Sequence, residues 1–195
     1  MLTENDKYWV LLHQFPKFGP AKYRKLWDHF SSVKDIYESD AQELEKAGIS
    51  EELAREFQDF KKKLSEDELL STLEKEQIGI LKCTDPSYPQ LLAHIYDPPL
   101  LLYYRGNIDF EHDLSLAVVG SRKYSAYGKQ ISDSLMPSLA RNGMTIVSGL
   151  AMGIDSLAHL RTVEEGGRTI AVLGSGLDRK SIYPAQNRQL MERIL

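Results

Sequence analysis

The sequence predicts a small all-α domain, residues 1–76, followed by an α/β domain, residues 77–195, with a mostly parallel, doubly wound sheet. Three observations predict this. Apolar residues recur at helical spacing up to Glu76, and turn-rich, strand-like segments begin at Gln77. From Leu116 onward three apolar runs, LAVVG, TIVSG and TIAVLG, alternate with two helical stretches. Strand–helix–strand–helix–strand implies crossover connections and parallel strands with helices on the faces of the sheet.

Tyr8, Leu11, Leu12 and Phe15 share one helix face, which Pro16 and then Gly19-Pro20 interrupt. Tyr23, Leu26, Trp27 and Phe30 line a second helix that ends at Ser31-Ser32. Val33 to Tyr37 makes a short helix, and Asp40 followed by Glu43 is a capping-box start for the next, which Gly48 stops. Ser50 to Glu76 reads as one long helix or two consecutive ones. FGPAKYRKL and AGIS are similar to helix-hairpin-helix and SAM-like modules, some of which hold DNA phosphates through helix N-termini. Residues 1–79 carry 12 Lys+Arg against 17 Asp+Glu, which favours a packing or protein-contact role here over a grip on DNA.

In the second part, IGILKC and LLLYYRG are strand-like and DPSYP and YDPP are turn chemistry. Helices are expected over roughly Ala126 to Asn142 and Asp155 to Glu165. The three last strands run into Gly120-Ser121, Ser148-Gly149 and Gly174-Ser175. Carboxyl ends of parallel strands share one edge, where ligands of open α/β sheets bind. Glycine admits close approach of the backbone, and helix N-termini behind the loops add free N–H groups, so this Rossmann-like edge suits an anion.

Composition narrows the partner. The chain has 195 residues, 42% hydrophobic and 27% charged, an ordinary globular balance. MLTENDKYWV is not a secretory signal, and no apolar run is long enough for a bilayer, so a cytoplasmic protein without membrane contact is expected. Cys83 is the only cysteine, which leaves no disulfide framework and no cysteine-based metal site. From Gly120 onward there are 10 basic residues against 6 acidic, an excess of +4 beside the glycine loops. A local positive potential of this kind draws a polyanion.

The loops themselves argue against a nucleotide cofactor. In GSRKYSAYG, Arg122 stands where a dinucleotide fingerprint needs its second glycine. GSGLD from Gly174 has Arg179 in place of the third, and no G-K-[ST] occurs. No cofactor and no metal is assigned. An arginine at a loop tip matches a phosphodiester, while the alternative is a pair with Asp155 or Asp178 on the same edge. Tyr124, Tyr127 and Tyr183 stand near that edge and could stack on bases, although Tyr124 and Tyr127 read as core or rim. Asp155 and His159, four apart on one helix, form either a charge-oriented general base or a structural pair. No G-x-S-x-G elbow accompanies them, and the structural pair is the reading taken.

The stretches YPQLLAHIYDPPLLLYYRG, AVVGSR, SGLAMGIDSLAH, GGRTIAVLGSGLD and IYPAQN together resemble the DNA-processing protein A (DprA/Smf) family over about Asp85 to Arg188. The resemblance implies a bacterial, cytoplasmic protein that binds single-stranded DNA and loads the RecA recombinase onto it in natural transformation. It also implies a homodimer and no enzymatic activity. Carried over, the phosphate pocket falls on Gly120, Ser121 and Arg122, on the backbone of Gly149, Leu150 and Ala151, and on Gly174 and Ser175. Tyr183 and Asn187 of the last stretch, with Arg188 directly after it, complete the DNA-binding set. Two positions depart from the family: Met152, commonly basic, and Ala185, often lysine. Arg179, Lys180 or Arg188 are the candidates to replace those charges. The family continues past the position of Leu195, so an incomplete second domain is expected. Two rival readings are a phosphoribohydrolase-like nucleotide hydrolase, whose PGGxGT-type loop is missing here, and a truncated protein-interaction fragment.

Overall fold

The computed structural model describes residues 2–108 and 114–195. They form two compact units that divide between Tyr104 and Arg105.

The first unit begins with six helices: α1 (Glu4–His13), α2 (Pro20–His29), α3 (Val33–Glu38), α4 (Ala41–Lys46), α5 (Glu51–Lys63) and α6 (Glu66–Lys75). Their starts follow local chemistry. Thr3 and Asp6 close a capping box on α1, and Asp40 and Glu43 close the expected one on α4. Gly19 precedes α2 with Pro20 at its first position, where the missing N–H costs nothing. Gly48, at φ 85°, ends the turn after α4, and Ser50 caps α5. Ser50 to Glu76 therefore forms two helices, broken at Leu64-Ser65.

Aromatic residues dominate the core of this unit. Phe57 is fully buried, with ring centroids 4.9 Å from Phe18 and 5.2 Å from Phe15. Leu11, Leu26, Ile36 and Leu44 fill the spaces around them. Strands β1 (Gly79–Lys82) and β2 (Leu101–Tyr104) pair antiparallel, with the four-residue α7 (Gln90–Ala93) between them. Leu101 joins the helical core, and Ile80 and Tyr103 pack on it. The change of texture at Gln77 and the division after Tyr104 thus lie at different places, with the β1–β2 pair packed on the helices. These two strands form a sheet of their own, separate from the parallel one.

The second unit holds β3 (Ser115–Ala117), α8 (Ala126–Arg141), β4 (Thr145–Ser148), α9 (Ile154–Glu164), β5 (Thr169–Ala171) and α10 (Arg188–Ile194). The strands are parallel in the order β3-β4-β5. Register puts Leu116, Ile146 and Thr169 in one row and Ala117, Val147 and Ile170 in the next, on the opposite face. Ile146 is fully buried among Met136 of α8 and Ala158 of α9. Both crossover helices therefore cover the Ile146 face, where they also pack on each other. Successive crossovers of one hand, stepping one way along a sheet, must lie on one side. The described residues form a mixed α/β arrangement with a small parallel sheet.

Candidate nucleic-acid interface

Three loops follow the three parallel strands, and the backbones of the first two interlock. Gly153, at φ 94°, lies so close under the first loop that a Cβ there would sit 2.1 Å from the Ser121 carbonyl oxygen. Ile154 N–H donates to that oxygen at 3.2 Å. A Cβ on Gly120 would meet the Ile154 side chain at 2.7 Å. The glycines at 120 and 153 are thus required for the approach of one loop to another. Gly174 differs: a Cβ there meets nothing within 4 Å.

The second loop bends sharply. Leu150 has φ 54°, unusual for a side-chain-bearing residue, and its side chain is fully buried with Ile182 and Met191. Asp155, near the start of α9, reaches back so that Oδ2 accepts from the Gly149 N–H at 3.2 Å. Asn187 Nδ2 donates to the Leu150 carbonyl at 2.8 Å and to the Ala151 carbonyl at 3.3 Å. The third loop is closed by Ser175 Oγ, which accepts from the Tyr183 N–H at 3.4 Å.

Arg122 stands at the tip of the first loop. It is exposed, and among the described residues no carboxylate pairs with it. The two candidate partners are engaged elsewhere: Asp155 with Gly149, and Asp178 Oδ1 with the N–H groups of Lys180 and Ser181, both at 3.1 Å. Hydrogen bonds, led by that from the Ser181 side chain, hold the Asp178 carboxyl below its ordinary pKa. Ser121 Oγ donates to the Lys123 carbonyl at 2.8 Å and accepts from the Lys123 N–H at 3.1 Å, which shapes the turn beneath Arg122. Ser125 caps α8 through the Gly128 N–H.

The remaining predicted positions divide by environment. Tyr183 is 67% exposed and Met152 41% exposed. Tyr124 and Tyr127 are exposed too, Tyr127 to 71%, so neither enters the core. Arg188 Nη2 donates to the Lys180 carbonyl at 3.1 Å, while its buried Nε has no partner. Its guanidinium braces the third loop. At Asn187 and Gly149, expected from the sequence to contact DNA, the Asn187 Nδ2 and the Gly149 N–H make hydrogen bonds between loop segments. Gly153 and Ile154, which lock the first loop to the second, are absent from the residues the sequence nominates. The signal was present in MGID, a glycine directly before a helix that begins with an acidic first turn.

Asp155 and His159 lie inside. His159 is 0% exposed. The single proton of Thr169 Oγ1 goes to the Ile146 carbonyl at 2.7 Å, so Oγ1 accepts from His159 Nδ1 at 2.7 Å. This sets the tautomer with Nε2 unprotonated and without a partner. Burial lowers the His159 pKa to about 4, against smaller opposing effects of Asp155 and the Ser148 backbone. Asp155 thus ties the second loop to α9, and His159 ties α9 to β5. Among the described residues no cluster of His, Cys, Asp or Glu could hold a metal ion, and no helix is long and apolar enough to cross a membrane.

The model of the family described as DNA recombination-mediator protein A matches residues 79–195, more than half of the chain. The chain belongs to the DprA/Smf family. Protein Smf of Synechocystis is 34% identical over 199 residues, covering 100% of this chain and 50% of its own length. DNA processing protein DprA of Streptococcus pneumoniae is 46% identical over 110 residues, 56% of this chain and 38% of the relative. The crystal structure of the pneumococcal DprA superposes with a TM-score of 0.66 at 31% identity, covering 99% of this chain and 60% of the other. A Helicobacter pylori DprA, solved to explain its single-stranded DNA binding mode, gives 0.53 at 32% identity over 60% of this chain and 51% of that one. This DprA/Smf chain spans about half or less of the length of these curated relatives.

Proposed function

We propose that this chain binds single-stranded DNA at the carboxyl edge of its parallel sheet, without a cofactor and without catalysing a reaction. The carrying observation is Arg122: exposed, unpaired among the described residues, and mounted on a loop locked against its neighbour. A fixed guanidinium suits a phosphodiester because its donors form a planar fork of permanent charge. Nearby, the N–H groups of Ala151 and Met152 make no hydrogen bond among the described residues. Exposed Tyr183 offers a ring face to a base. The residues from 77 to 195 are read as a Rossmann-like DNA-binding domain behind a helical domain of residues 1–76. Ser121, Gly174, Ser175 and Arg188 shape the loops around the phosphate path.

The family extends this reading to loading of RecA on the bound strand in recombination and natural transformation, by a cytoplasmic homodimer. The rival hydrolase reading draws little support from an Asp155 engaged with Gly149 and a fully buried His159.

Fluorescence anisotropy with a labelled oligo(dT) tests the proposal. Arg122→Ala is expected to weaken binding about tenfold, the order of one charge-assisted contact, and to lower the salt slope by about 1. Unchanged affinity removes Arg122 from the site.

A further inference from the structure

We infer that Asn187 is a positioning residue: it holds the second loop so that the Ala151 and Met152 N–H groups face an incoming phosphate, and does not itself touch DNA. This rests on the proposed single-strand binding at the sheet edge.

The argument starts from peptide geometry. In a trans peptide, the carbonyl of one residue and the N–H of the next point in opposite directions. Asn187 Nδ2 holds the carbonyls of Leu150 and Ala151 at 2.8 and 3.3 Å. Both peptide planes are therefore oriented with their N–H groups, those of Ala151 and Met152, directed away from Asn187. Neither N–H has a partner among the described residues, and Met152 is well exposed. An asparagine side chain has only two donor hydrogens, and both are directed to the loop. The loop needs such a brace. Leu150 occupies a left-handed conformation that costs about 1–3 kcal/mol and persists only when surroundings over-determine it. Buried Leu150 and the Asp155–Gly149 bond hold one side; on the other, the Ser156 N–H shares the Ala151 carbonyl at 3.2 Å, and Asn187 holds the Leu150 carbonyl.

Two or more aligned backbone N–H groups form a concave anion site that carries no net charge. The same site recognises phosphate at any base, so its contribution is independent of sequence. Met152 then needs no basic side chain to take part, since its main chain supplies the donor.

The test uses Asn187→Ala with labelled oligo(dT), together with amide spectra of the free protein. The expected result is about tenfold weaker binding with an unchanged salt slope, because no charge is removed. In the free variant, the Ala151 and Met152 amide resonances are expected to move. Wild-type affinity with unmoved resonances overturns the inference, as does a reduced salt slope. If the wild type fails to bind oligo(dT), the proposed function falls, while the amide resonances of free Asn187→Ala still decide whether the clamp exists. Should that variant not fold, titration of the wild type decides: the Ala151 and Met152 N–H resonances shift most if Asn187 positions, and the Asn187 side-chain amide shifts most if it touches DNA.

Discussion

The two units of this chain bury different things. The helical unit gathers Phe15, Phe18, Tyr23 and Phe57 with Leu11, Leu26 and Leu44 into one continuous apolar core. Among the described residues, the α/β unit holds one apolar cluster at Met136, Ile146 and Ala158 and another at Leu150, Ile182 and Met191. It also buries polar groups: Asp155, His159, Thr145, Thr162 and Thr169. In the first unit, apolar area removed from water provides the stability. In the second, polar connections hold loops in shapes that apolar packing alone would not specify. The edge proposed to bind phosphate owes its shape to oriented backbone, and that orientation comes from hydrogen bonds and close glycine contacts.

The largest expected effect breaks the apolar side of this comparison. Phe57→Ala removes a fully buried ring that meets Phe15, Phe18 and Tyr37. It should destabilise the helical unit by about 3–5 kcal/mol, read from denaturant unfolding. A cost below about 1 kcal/mol would show that the aromatic core is not what holds this unit.

Next is the pH dependence of the polar side. His159 has a folded pKa lowered to about 4 by burial, against an unfolded value of 6.5. Its neutral form is the native one, so the unfolded chain binds the extra proton between those values. Stability is fully present above about pH 6.5 and falls as pH drops toward about 4, by roughly 3 kcal/mol. Thermal melts of wild type and His159→Gln across this range measure it. Equal pH profiles for the two proteins would disprove the assignment.

A glycine pair sharpens the comparison further. Gly153→Ala combines a left-handed φ with a Cβ contact of 2.1 Å to Ser121, and should cost about 2 kcal/mol or more while separating the first two loops. Gly174→Ala enters open space and should change stability by less than about 0.5 kcal/mol. The readout is unfolding midpoint together with oligo(dT) affinity, and equal effects at the two positions would contradict the loop-locking account.

Much of the fold was legible because local chemistry declares it. The capping box at Asp40 and Glu43, the Pro20 start and the alternation of apolar runs with helices all rest on neighbours in sequence. The pairing of β1 with β2, apart from the parallel sheet, was not legible, since strand partners lie far apart in the chain. At the candidate site, Arg122 stands out in the sequence because a charged residue where a cofactor loop needs glycine is a local anomaly. The hydrogen bonds of Asn187 were not legible: an asparagine in IYPAQN can face solvent or backbone, and 36 or 37 residues separate it from the carbonyls it holds.

By itself, then, the sequence determined the helices, the strands, the glycine-bearing loops and the arginine at the tip of one of them. These follow from propensity, periodicity and side-chain chemistry, which act over a few residues. Only the tertiary structure decided which glycines serve loop contact, that Asp155 is committed to Gly149, and that Asn187 braces the second loop. Those assignments depend on distances between segments brought together by packing, and no local pattern encodes a distance across the fold.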